Sequence, residues 1–248
     1  DLMSASQYHR VTMGKLPTGH DTVKLKMNSA EGTFIIDTAA VTSINDQLQS
    51  KYKLAGSQLQ KTIEAAGASA SIKVSYYPLS GTDPKMGVFG ANTDPKNPQN
   101  HAINVPLNSL GVTDLNAVTR GIFSASGILV DGILGQDGWL PHGMILDVSK
   151  QSLFIKKSDE TDLSDDKMAN NLTEYLRNKG YQPIALGLLE FEELNLKLLT
   201  VNITMNGVSG LFIIDSGAGR SMLHRPQAAK YQLKPEAGQS NQSTSGAG

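Results

Sequence analysis

One string occurs twice in this chain and restricts what the chain can fold into. The stretches "GTFIIDTAAVTSIND" at 32–46 and "GLFIIDSGAGRSMLH" at 210–224 align without a gap. A slide of 178 residues pairs Met27-Asn28 with Met205-Asn206, Gly32 with Gly210, and Phe34 through Asp37 with Phe212 through Asp215. It also pairs Ala40 with Ala218 and Ser43 with Ser221. Upstream, Val23, Leu25 and Met27 alternate with polar residues as Val201, Ile203 and Met205 do, the period of a half-buried strand. Downstream, with one residue inserted, Lys51-Tyr52-x-Leu54 answers Lys230-Tyr231-x-Leu233. Farther upstream, Tyr8, Val11 and Met13 answer Tyr181, Ile184 and Leu186 at their own spacing. So many ordered matches imply a duplicated unit, and a duplicated unit dictates the architecture.

The rest of the first copy reads as strands and turns. "SASIKVSYYPL" and "HAINVPL" are expected strands, and "GILVDGILGQDGW" holds a short apolar run ending on Gly135. "MILDVSKQSLFIKK" alternates around Ser149-Lys150, which predicts a hairpin. One helix is expected: Ser164 as N-cap, Asp165 and Asp166 in the first turn, an apolar stripe of Met168, Leu172, Tyr175 and Leu176, and Gly180 as stop. It reads as a linker between copies. Keeping the later register, Gly67 of "EAAGAS" falls on Gly246 of "STSGAG", so nothing in the second copy answers the Ile-Leu-Gly run or the hairpin. Copies of equal length put the missing part, roughly 90 residues, beyond Gly248.

Composition narrows the function classes. The 248 residues carry a net charge of -1, which lacks the basic footprint of a nucleic-acid binder. With no Cys there is no thiolate metal site and no cysteine nucleophile. No apolar run approaches the ~20 residues of a membrane span. The five His lack the spacing of a metallohydrolase, and "SDETDLSDDK" lacks the spacing of a calcium loop. No metal and no cofactor are expected. Asp131 and Asp137 read as turn residues flanking the Ile-Leu-Gly run, and Trp139 and His142 as packing and loop residues.

An apolar strand running into Asp-Thr/Ser and small residues, followed much later by apolar-apolar-Gly, resembles the retropepsin-like aspartic proteases. The residues are Phe34-Ile35-Ile36-Asp37-Thr38-Ala39-Ala40, Ile133-Leu134-Gly135, and Phe212-Ile213-Ile214-Asp215-Ser216-Gly217-Ala218. The likeness is to a tandem, bacterial-type member whose second copy is incomplete. It implies a mainly β fold: a retropepsin-like β-barrel domain at 1–157, a linker with a helix at 158–180, and the N-terminal half of a second such domain at 181–248. It implies Asp37 and Asp215 as the catalytic pair of an endopeptidase acting on a peptide or protein substrate. Thr38, Ala39, Ser216 and Gly217 support the pair, with Gly217 letting the backbone approach closely and give an N–H to the carboxylate. The flap candidates are Ala66, Gly67 and Gly246.

The chemistry suits these residue types, since two close carboxylates cannot both ionise and so share one proton between base and acid. Two assemblies fit: the copies pair within one chain, or each pairs with its equivalent in a homodimer. A third possibility is a peptide-binding module without catalysis. It is favoured by Ala39, which stands where the family has Gly and would be strained at positive φ. The chain begins on Asp1 rather than Met, and a periplasmic or secreted location is the expectation.

Overall fold

The structure, a computed structural model, describes residues 8–54, 58–66, 71–79, 85–89, 102–156, 165–191 and 196–234. The chain is mainly β. Its first part contributes β1 (Tyr8–Thr12), β2 (Gly14–Lys15), β3 (Asp21–Met27), β4 (Ala30–Ile36), β5 (Ser43–Asn45), β6 (Lys61–Ala66), β7 (Ser71–Pro78), β8 (Lys85–Phe89), β9 (Ala102–Pro106) and β10 (Ser109–Thr113). Then come α1 (Asn116–Ser126), β11 (Gly132–Leu134), the short α2 (Gln136–Trp139), β12 (Ile145–Asp147) and β13 (Ser152–Lys156). The helix α3 (Asp165–Asn178) leads to β14 (Gly187–Phe191), β15 (Leu196–Met205) and β16 (Val208–Ile213).

The larger sheet runs β6-β7-β10-β5-β11-β4-β3-β8-β9, with β2 added to β3. One apolar cluster draws Val11, Leu25, Phe34, Ile44, Met86, Val105, Leu110, Leu134 and Leu153 from nine of the strands, so the strands enclose a common core. β12 and β13 form the expected hairpin, and β13 pairs with β1 so that Val11 faces Leu153. At the centre, β11 runs parallel to β4, matching Ile35 to Ile133 and Ile36 to Leu134. This pairing sets where β4 ends.

Residues 196–234 repeat local contacts of the first unit. Asn28 Nδ2 donates to Tyr52 O at 2.9 Å, and Asn206 Nδ2 donates to Tyr231 O at 2.8 Å. Phe34 and Tyr52 have ring centroids 6.0 Å apart, and Phe212 and Tyr231 have theirs 5.9 Å apart. Asn28 and Asn206 take φ 47° and 50°, and Lys53 and Gln232 take 54° and 55°. Each tyrosine hydroxyl also fills the space over a glycine, Gly32 or Gly210, where a Cβ would collide with it. The two units differ in what covers them. Leu25 is 0% exposed and Ile35 3%, whereas Ile203 is 40% and Ile213 51%. Among the described residues, β14–β16 have no counterpart of β11, β13 or α1.

Three expectations need correction. The chain has a second substantial helix, α1, whose signal is weak because only Val118 and Ile122 face inward, onto Leu16, Ile35 and Val130. Asp131 is not a turn residue. It is 8% exposed, its N–H donates to Thr33 O at 2.8 Å, and its C=O accepts from Asn45 N–H at 3.0 Å, extending the β11 ladder. Its carboxylate accepts from Tyr52 Oη at 2.6 Å and pairs with Lys51. Asp137 lies in α2 rather than a turn, and its Oδ1 accepts from Thr42 N–H at 2.7 Å. Burial pushes the Asp137 carboxyl above its ordinary value, against the hydrogen bonds from Thr42. His142, expected in a loop, ends a short 3-10 turn at Leu140–His142, with its Nε2 3.0 Å from Pro106 O.

The helix expected after the first unit is α3, with Leu172, Tyr175 and Leu176 half-buried and Gly180 at φ 86° closing it. Ser164, Gly67 and Gly246 lie outside the described residues, as do the side chains of Ala66, Met168 and Trp139.

Candidate functional site

The site begins where β4 stops. Asp37 N–H donates to Leu134 O at 3.0 Å, one step beyond the parallel ladder, so β11 holds the residue as well as the strand before it. Gly135 then leaves no room for a Cβ against Ala40 O and Val41, which keeps the loop after Asp37 tight on the Ile-Leu-Gly segment. Gln136 N–H donates to Ala40 O at 2.8 Å, and Gly135 N–H to Thr42 Oγ1 at 3.1 Å. Thus β11 and the start of α2 brace the loop from below.

The loop of the second unit meets this one through two hydroxyls. Thr38 Oγ1 donates to Ile214 O at 2.7 Å and accepts from Ser216 N–H at 3.0 Å. Ser216 Oγ donates to Ile36 O at 2.8 Å and accepts from Thr38 N–H at 3.0 Å. Each hydroxyl therefore binds the residues flanking the opposite aspartate. A hydroxyl is needed on both sides because each must donate and accept at once.

This interlock sets Asp37 and Asp215 on adjoining loops, close enough for the Asp215 charge to act on the Asp37 carboxyl. Asp37 is half-buried and Asp215 exposed. Burial and then the Asp215 charge push the Asp37 carboxyl up to about 7, while the Ala39 N–H at 2.7 Å from Oδ1 opposes them. A carboxyl that keeps its proton beside one that can ionise is able to polarise a carbonyl while its neighbour accepts a proton.

At Gly217 and Ala39 the backbone geometry separates the roles that were open. The N–H that reaches Asp215 Oδ1 comes from Ala218, at 3.0 Å, not from Gly217. What Gly217 provides is close approach, since a Cβ there would run into the Asp37 carboxylate. Ala39 is not among the residues of positive φ, so the strain considered for it does not arise.

Two further residues join the units and were not singled out in the sequence. Gln136 is 4% exposed, and its Nε2 donates to Thr38 O at 2.7 Å while its Oε1 accepts from Lys197 N–H at 2.9 Å. Its position directly after Ile-Leu-Gly was the available signal. His20 lies against Gly219, and its counterpart in the repeat, Leu198, offered no signal. On the outer side, β6 and β7 form an antiparallel hairpin from Lys61↔Tyr76 to Ala66↔Ser71. Lys61 and Tyr76 of this hairpin line a cavity of ≈ 300 Å³ together with Val41, Leu107, Asp137 and His142.

Among the described residues, no group of three His, Cys, Asp or Glu could hold a metal ion. Among them, too, no helix is long and apolar enough to cross a membrane. No protein-family model matches the chain. No curated protein matches it either. Among solved structures, the chain is similar to a retropepsin-like aspartic protease from Rickettsia conorii. Identity is 15% and the TM-score 0.34, over 59% of this chain and 98% of that one.

Proposed function

We propose that this chain is an aspartic endopeptidase of retropepsin-like, duplicated architecture, with Asp37 and Asp215 as an intramolecular dyad. The observation that carries this reading is the reciprocal hydroxyl interlock, which joins the loops bearing two strand-end carboxyls 178 residues apart so that one charge acts on the other. The repeated contacts around Tyr52 and Tyr231 support the division into one unit at 1–157, a linker at 158–180 and a related unit from 181. Because Thr38 and Ser216 satisfy each other within one chain, pairing in a homodimer would have to exchange four hydrogen bonds for equivalents.

In the reaction, a water sits between the carboxyls. Asp215, the more exposed, accepts a proton from it, while Asp37 donates a hydrogen bond to the substrate carbonyl. The water oxygen adds to the carbonyl carbon as Asp37 passes its proton to the carbonyl oxygen, giving a tetrahedral diol. The proton on Asp215 passes to the amide nitrogen as the C–N bond breaks, and Asp37 recovers its share as the new carboxyl forms. The β6–β7 hairpin, paired out to Ala66 and Ser71, is the element that would close over a peptide.

The test is cleavage of an unfolded protein substrate at mildly acidic pH, with and without a statine-type inhibitor. Cleavage that stops with the inhibitor and in both Asp37→Asn and Asp215→Asn supports the dyad. Peptide binding without turnover, indifferent to both substitutions, would make the chain a binding module instead.

A further inference from the structure

The turn entering β3 delivers an imidazole to the loop of the other unit. Leu16 N–H donates to His20 O and Gly19 N–H to Leu16 O, each at 2.9 Å, and Gly19 takes φ 93°. Residues 16–20 therefore close tightly, with His20 at the end of the turn. Thr18 Oγ1 lies 2.8 Å from His20 Nδ1, which orients the ring. The ring faces the backbone of the loop that carries Gly217 and Gly219. A Cβ on Gly219 would meet Thr18 O at 2.8 Å, His20 Cε1 at 3.5 Å and His20 Nε2 at 3.8 Å, so the two loops touch with no space for a side chain.

The charges acting on the ring are Asp215 across the interface and Lys15 and Asp21 on its own strands. Lys15 and Asp21 pair with each other at 3.1 Å, which leaves Asp215 as the charge that a cationic ring would serve. The arrangement is one-sided, because the residue 178 positions on from His20 is Leu198.

We propose that His20 is a positioning residue that makes the pair asymmetric: its ring packs on the loop carrying Asp215 and sets an imidazolium charge on that side of the pair alone. This deepens the dyad reading and rests on it. Burial on one side and a cation on the other then act in the same direction, leaving the proton on Asp37. Burial also lowers the proton affinity of His20 itself, so the ring charges as pH falls into the acidic range where a dyad must retain one negative charge.

Two measurements on the full chain test this. The first is an NMR titration of the His20 ring, which needs no activity. In Asp215→Asn its midpoint should fall by about half to one pH unit relative to the unsubstituted chain. An unchanged midpoint overturns the proposal, whatever becomes of the protease reading. The second is the pH profile of kcat/KM on a peptide substrate. His20→Gln, which retains a donor without the charge, and His20→Leu should both move the acidic limb upward by about the same amount. His20→Lys should restore the limb. Profiles of His20→Gln and His20→Leu that superimpose on the original overturn the role of the charge. A shift seen in the titration with no cleavage under any condition would overturn the protease reading and leave the His20–Asp215 coupling standing.

Discussion

Thr38 and Ser216 each donate to a backbone carbonyl just before the other's aspartate and accept the other's backbone N–H, all four contacts lying between 2.7 and 3.0 Å. Neither hydroxyl can be removed without orphaning a carbonyl and an N–H on the opposite unit. Thr38→Ala should destabilise the protein by about 1–3 kcal/mol, and Ser216→Ala by a similar amount. Thr38→Ser should be nearly silent. Because the two belong to one hydrogen-bond network across the same junction, the double variant should cost less than the sum of the singles, with a coupling of about 0.5–3 kcal/mol in urea unfolding.

Asp37 binds its proton more tightly folded than unfolded, since burial and Asp215 raise it to about 7. Between the ordinary carboxyl value near 4 and about 7 the folded state therefore holds more protons, and stability falls as pH rises through that window. Melting temperature should decline from mildly acidic to neutral pH, and Asp37→Asn should flatten the decline. Activity should fall over the same interval as Asp37 loses its proton. In acid, both Asp37→Asn and Asp215→Asn should reduce kcat by about 10²–10⁴-fold.

Gly217 and Ala39 occupy equivalent places with unequal freedom. A Cβ at 217 would strike the Asp37 carboxylate, whereas Ala39 already carries its Cβ without positive φ. Gly217→Ala should displace the carboxylate and reduce kcat by about 10²-fold. Ala39→Gly should retain activity and change stability by no more than about 1 kcal/mol, through the unfolded chain. Steady-state kinetics and thermal melts of the two variants read the difference directly.

Gln136 satisfies Thr38 O and Lys197 N–H from a buried position. Gln136→Ala should leave both groups without a partner, at roughly 1–3 kcal/mol each. Gln136→Glu keeps the acceptor for Lys197 but loses the donor for Thr38, so it should also destabilise, and more so at neutral than at acidic pH. Denaturant unfolding at two pH values separates these outcomes.

The linear sequence determined a good deal here because its signals were local and repeated. Alternating Val23, Leu25 and Met27 gave β3, and Phe-Ile-Ile before each aspartate gave the buried β4 and the corresponding β16. The hairpin around Ser149-Lys150 and the helix ending at Gly180 were legible for the same reason: period and turn chemistry act within a few residues. Tertiary structure decided what depends on residues far apart in the chain. It turned Asp131 from a turn acid into a buried partner of Tyr52 and Lys51, and it formed α1 from a segment with only two inward-facing apolar residues. It removed the question over Ala39 by fixing its φ, and it brought Gln136 and His20 to the loops of the opposite unit. Periodicity identifies which face of an element is apolar; which distant loop a Gln or His will touch is set only when two units close on each other.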